Sequence, residues 1–230
     1  MSAAPIPIEV GPRLEAVYAR IAAAAHASGR DPDEVRLVAV SKTKDAAAVR
    51  LAYAAGQRDF GENYAQELVK KAAELEDLRD LRWHFIGHLQ RNKAKIVAPV
   101  ASVVHTVDSA RLAEELGKRA GASLPVLVEV NVGGEDQKSG CRTAELGEVL
   151  DAVEKETTLR LTGLMTVPPL SDDPGASRRF FEELVVLRDA HGGPQRLPDL
   201  SMGMSHDLEE AIRAGATIVR VGTAIFGART

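Results

Sequence analysis

Short apolar runs alternate with longer amphipathic stretches along nearly the whole chain. Residues 9–29 open the pattern as an amphipathic helix, in which Leu14, Val17, Tyr18 and Ile21 recur at helical spacing and Gly29 suits the end. Arg36-Leu-Val-Ala-Val40 is compact and rich in branched aliphatics, the composition of a parallel strand buried on both faces. Asp45 suits the cap of a helix over 46–55, which Gly56 closes. The unit then recurs. Further strands are predicted at Asp59-Phe60, Trp83–Ile86, Val103–His105, Pro125–Asn131, Arg160–Met165, Asp199–Met202 and Thr217–Val221. Helices are predicted over 62–77, 91–98, 109–120, 143–155, 176–190 and 206–214.

Strands alternating with helices of this length require a parallel sheet. Eight such units within 230 residues point to a closed (β/α)8 TIM-type barrel with an extra N-terminal helix, as one domain over 1–230. An open doubly wound sheet is the alternative. The longest predicted loop, Pro168-Pro169 through Asp172-Asp173-Pro174, follows a strand and falls on the face where barrel enzymes gather their chemistry.

Composition removes several classes of function. The net charge is −4, with 29 basic and 33 acidic residues and no long run of one sign, so neither nucleic acid nor a membrane surface is an expected partner. Arg91 to Lys95 is the richest basic stretch and reads as a solvated helix face. Cys141 is the single cysteine, which excludes an internal disulfide and fits a reducing, cytoplasmic setting. Met1-Ser2-Ala3-Ala4-Pro5 lacks a basic stretch followed by an apolar core, so no signal peptide is expected. His84 and His88 lie four residues apart, but Phe85, Ile86 and Gly87 between them suit a strand end, so no metal site is expected.

The candidate chemistry sits at strand ends. Lys42 and Lys44 follow the first strand, and strand alternation turns either Ser41 or Lys42 into the barrel mouth. A lysine amine desolvated there loses basicity, as Schiff-base formation requires; a solvated lysine is the plainer alternative and is preferred for Lys44. Ser201-Met-Gly-Met-Ser205 and Val219-Arg-Val-Gly-Thr223 end the last two strands, where barrels often bind phosphate. Gly222 would let backbone N–H groups approach an anion, with hydroxyls from Ser205 and Thr223; Ser205 would also serve as a helix N-cap. Arg220 lies inside an apolar strand, where its charge needs either an ion-pair partner or an acceptor in the barrel mouth.

Six segments occur in order: Ala39-Val-Ser-Lys-Thr-Lys44, Phe60-Gly-Glu-Asn-Tyr64, Trp83-His-Phe-Ile-Gly-His-Leu-Gln90, Gly163-Leu-Met-Thr166, Leu200-Ser-Met-Gly-Met-Ser205 and Val219-Arg-Val-Gly-Thr-Ala-Ile-Phe-Gly227. Together they closely resemble the pyridoxal phosphate homeostasis protein family, from about residue 10 to the end. The resemblance implies the barrel of the alanine racemase N-terminal domain, without the racemase's second domain. It implies pyridoxal 5′-phosphate (PLP) as cofactor, held as a Schiff base on Lys42. Ser201, Ser205, Gly222 and Thr223 would hold the phosphate, Arg220 would face the pyridine nitrogen, and Asn63 and His84 would line the pocket. It further implies a cytoplasmic carrier or buffer of PLP supporting vitamin B6 and amino-acid balance. A monomer with no catalytic residue, meeting PLP-accepting enzymes transiently, is expected.

The residues agree with that lack of turnover. Arginine cannot accept the proton that would make the pyridine ring a strong electron sink. Racemases of this fold also draw an opposing tyrosine from their second domain, and none is expected here. A racemase or lyase of low activity and a PLP-independent Schiff-base aldolase are the competing readings.

Overall fold

A computed structural model describes residues 9–228 except Ala122, Asp136 and Leu170. Met1–Pro5 lies outside the described residues, as do single positions of two predicted loops. Before the barrel comes α1 (Val10–Ala27), which turns Val10, Leu14, Val17 and Ile21 inward. Gly29 follows it at φ 67°, in the left-handed region open to glycine. The barrel then runs β1 (Arg36–Val40), α2 (Ala46–Ala54), β2 (Asp59–Glu62), α3 (Ala65–Glu74), β3 (Arg82–Phe85), α4 (Ala94–Val97), β4 (Val103–Val107), α5 (Ala110–Arg119), β5 (Leu124–Glu129), α6 (Leu146–Lys155) and β6 (Leu159–Met165). It closes with α7 (Arg178–Ala190), α8 (Gly193–Arg196), β7 (Asp199–Ser201), α9 (Leu208–Ala214), β8 (Ile218–Val221) and α10 (Thr223–Phe226).

Among the described residues, eight parallel strands pair in chain order, and β1 meets β8 to shut the cylinder with Leu37 opposite Val219 and Ala39 opposite Val221. The closed (β/α)8 reading is borne out and the open sheet is excluded. Side-chain alternation divides the core in two. Leu37, Ala39, Val219 and Val221 point outward into a large apolar layer beneath the helices. Val38, Leu127, Met165 and Ile218 form a separate apolar group inside the barrel. Each such burial stabilises by roughly 1.5–3 kcal/mol.

Differences from the predicted elements have local causes. Asp45 caps α2 as expected, accepting from the Ala48 N–H at 2.9 Å. The helix predicted over 91–98 is instead a 3-10 turn at Arg91–Lys93 followed by α4, and α3 begins at Ala65 rather than residue 62. β2 reaches Glu62, because Gly61 and Glu62 continue the ladder with β3. Gly163 is required by close packing: a Cβ there would lie 1.8 Å from the Asp199 carbonyl oxygen. No described helix is long and apolar enough to cross a membrane.

Candidate functional site

The C-terminal ends of the strands enclose a cavity of about 350 Å³. β1 contributes Val40 and, just beyond it, Lys42; Asn63 follows β2, Ile86 follows β3 and Val167 follows β6. Met204, Ser205 and His206 come from the loop after β7, and Arg220, Gly222 and Thr223 come from β8 and the turn after it. Every contribution comes from the face on which barrels carry their chemistry. Val40, Ile86, Val167 and Met204 give apolar walls, while Lys42 and Arg220 bring nitrogen-bearing polar side chains.

The loop bearing Lys42 is held from behind. The Lys71 ammonium on α3 is buried and donates to the Ser41 carbonyl at 2.7 Å and to Glu62 Oε1 at 2.7 Å. Ser41 Oγ donates to the same Glu62 oxygen at 2.6 Å. Glu67 accepts from the Thr43 N–H at 2.9 Å and from Lys71 at 3.2 Å. The backbone on each side of Lys42 is therefore tied to α3. Thr43 itself takes φ 63°, a conformation unusual for a branched residue and maintained here by these bonds. Burial raises the Glu62 carboxyl above its ordinary range despite the bonds from Lys71 and Ser41.

Arg220 stands on the other side of the cavity and is buried. Its Nη1 donates to Ser201 Oγ at 2.6 Å and its Nη2 to the Thr166 carbonyl at 2.9 Å. Burial lowers its pKa to about 10, which leaves it cationic at neutral pH. Below it runs a file of polar side chains. Ser201 Oγ lies 2.9 Å from His105 Nδ1, and His105 Nε2 lies 2.8 Å from His84 Nδ1. His84 Nε2 lies 2.8 Å from Asp59 Oδ1, and Asp59 is clasped by Arg82 through two bonds of 2.7 and 2.6 Å. Burial pushes the His84 pKa down and that of His105 well down. Burial acts against the Asp59 anion, but the bonds from Arg82 and His84 outweigh it and hold the carboxyl well below the usual range.

Glu129, at the end of β5, is buried with Oε2 lacking a hydrogen-bond partner. Burial, assisted by Asp108 and opposed by Arg220, raises its pKa to about 7. Burial also raises the Cys141 thiol to about 12, so this cysteine is not a nucleophile.

Of the residues singled out from sequence, Lys42, Asn63, Ser205, Arg220, Gly222 and Thr223 line the cavity together. Ser201 and His84 do not: Ser201 supports Arg220 from beneath, and His84 is sealed between Asp59 and His105. β3 turns His84 into the barrel interior, and it is not among the residues that line the cavity. Ser205 is not the N-cap of α9, which Asp207 precedes. Its hydroxyl instead accepts from the Ala224 N–H at 3.5 Å, which joins the two loops expected to face phosphate. His88 is exposed, 3.6 Å from Asp108, and Lys138 pairs with Glu135 and the Pro168 carbonyl. Sequence reasoning missed Lys71, Asp59, His105 and Glu129. The available signal was a polar residue within an otherwise apolar run, as in Val103-Val104-His105.

The helix-wrapped closed parallel barrel is the fold of a racemase-related class. Residues 13–230 match the alanine racemase, N-terminal domain family. Within that class the chain belongs to the pyridoxal phosphate homeostasis protein family. It is 50% identical over 224 residues to the pyridoxal phosphate homeostasis protein of Pseudomonas aeruginosa, covering 96% of each chain. To the protein of that name from Escherichia coli K12 it is 44% identical over 230 residues, covering 96% of this chain and 97% of the relative. The solved structure of PipY from Synechococcus elongatus PCC7942, with PLP bound, superposes with a TM-score of 0.82 at 37% identity and covers 95% of this chain and all of that one.

Proposed function

We propose that this chain is one PLP-binding barrel domain that takes up PLP reversibly in the mouth cavity, with Lys42 as its Schiff-base anchor, and carries or buffers it in the cytoplasm. The observation that carries the reading is the convergence of Lys42, Arg220 and the Ser205–Thr223 loops on one cavity. The residues fit the cofactor. Val40, Ile86, Val167 and Met204 offer faces to a flat ring, and the volume falls within the range of about 300–1,000 Å³ typical of small-molecule sites. Gly222 lies so near the Val40 carbonyl that a Cβ would sit 3.1 Å from its oxygen, and the hydroxyls of Ser205 and Thr223 flank it.

When bound, PLP supplies an aldehyde for the lysine amine and a pyridine ring as electron acceptor. The chain's own groups limit that chemistry. Arg220 stays protonated, so facing a ring nitrogen it would donate to it and could take no proton from it. This favours holding and releasing the cofactor over sustained amino-acid chemistry. A role in amino-acid balance and PLP transfer to other enzymes belongs to the same reading.

The test is to add PLP to the purified protein, reduce with borohydride and map the modified peptide. Label on Lys42, together with no turnover across the common amino acids, is expected. A protein that takes up no PLP would overturn the reading. Label with steady product formation would favour a racemase or lyase instead.

A further inference from the structure

The barrel interior contains a hydrogen-bond file whose direction is fixed from both ends. Asp59 is an ionised carboxylate and can only accept. The His84 Nε2 at 2.8 Å must therefore carry the proton. Arg82 already satisfies the Asp59 charge with a two-pronged bond, so a further cation in the closed barrel has no anion of its own and His84 stays neutral. Neutral His84 leaves Nδ1 bare, and His105 Nε2, 2.8 Å away, must donate to it. Neutral His105 in turn leaves Nδ1 bare, and the Ser201 hydroxyl at 2.9 Å must donate there. At the opposite end Arg220 can only donate, and the Ser201 oxygen, its proton committed to His105, turns its lone pairs toward Nη1 at 2.6 Å. The requirements from the two ends meet at Ser201 without conflict. Reversing the file would set a bare imidazole nitrogen against a carboxylate oxygen.

We propose that Asp59, His84 and His105 are positioning residues for Arg220, fixing its guanidinium at the floor of the cavity through a one-way relay that ends on Ser201. The inference deepens the PLP reading and rests on it for its benefit to the ligand, though the relay belongs to the protein alone. A guanidinium is planar, and its bonds to Ser201 and Thr166 define that plane. Ser201 is a dependable acceptor only while His105 holds its proton, and His105 has the required tautomer only because Asp59 imposes it through His84. Hydrogen bonds in such a series also polarise one another, by about 10–30% per bond. Asp59 thereby acts on Arg220, to which no direct bond joins it.

Nitrogen-15 spectra of the full-length, cofactor-free protein test the relay independently of PLP. At neutral pH both imidazoles are expected to be protonated at Nε2 and bare at Nδ1. In Asp59→Asn, whose amide both donates and accepts, the two tautomers lose their fixed sense and the Arg220 side-chain N–H signals shift. In Ser201→Ala, the Arg220 signals shift while both tautomers stay. Leu127→Ala, in the apolar group of the same interior, moves neither. With PLP added, Asp59→Asn is expected to release it roughly ten-fold faster than wild type, as expected for a loosened charge-assisted contact. An imidazole protonated at Nδ1, or Arg220 signals unchanged in either Asp59→Asn or Ser201→Ala, would overturn the relay. A wild-type protein with the expected tautomers but no uptake of PLP would sink the proposed function and leave the relay standing.

Discussion

Val38, Leu127, Met165 and Ile218 fill one part of the barrel interior with hydrocarbon, whereas Asp59, His84, His105, Ser201 and Arg220 fill another with hydrogen bonds. The first set comes from β1, β5, β6 and β8, the second from β2, β3, β4, β7 and β8. Apolar burial is non-directional and is the dominant stabilising term. A buried polar file gains little net stability, because its bonds replace bonds to water and its charges lose hydration. What it supplies is direction: a methyl group tolerates a small rotation, and a guanidinium held by a hydroxyl and a carbonyl does not. One part keeps the barrel closed, and the other decides where a charge sits.

The largest effect that would test this contrast is on stability. Leu127→Ala is expected to lower the unfolding free energy by about 2–5 kcal/mol in urea titrations, while leaving Lys42 labelling intact. Glu129→Gln comes next and depends on pH. Native Glu129 titrates near 7 against an ordinary value of 4.5, so between those values the folded chain binds more protons than the unfolded one, and stability falls as pH rises. Glutamine removes that loss. At pH 8 the variant should be more stable than wild type by up to about 3 kcal/mol, a gap that closes toward pH 4.5 in thermal melts. His105→Leu should cost about 1–3 kcal/mol, because it leaves Ser201 and His84 without partners. A stability gain there would mean that the file is maintained entirely at the expense of stability. Smallest is Arg20→Ala, which breaks a half-exposed pair with Glu209 between α1 and α9 and should lower the unfolding free energy by no more than about 0.2–1 kcal/mol in the same urea titrations.

The sequence made the hydrocarbon part far easier to read than the polar one. Runs such as Arg36-Leu-Val-Ala-Val40 announce a strand because branched aliphatics have few other uses at that density. The strand predicted at Asp59-Phe60 stops short of the full β2, since Gly61 and Glu62 have low strand propensity and are strand only through pairing with β3. The cavity residues were legible as strand-end chemistry plus a family resemblance. The file was not, because His84 and His105 lie 21 residues apart and meet only once β3 and β4 pair. Lys71 was hidden for a related reason. On α3 it reads as one more surface lysine, and only the folded chain brings Ser41 and Glu62 to it.

That clasp behind Lys42 bears on the kinetics of occupancy. Lys71 and Glu67 grip the backbone at Ser41 and Thr43, so the pedestal under Lys42 is ordered when the chain folds. At this part of the cavity an arriving ligand has only the Lys42 side-chain rotamers left to freeze. The entropy that a floppy loop would surrender at each visit has already been surrendered once. Arrival and departure then need no assembly of the loop that carries Lys42.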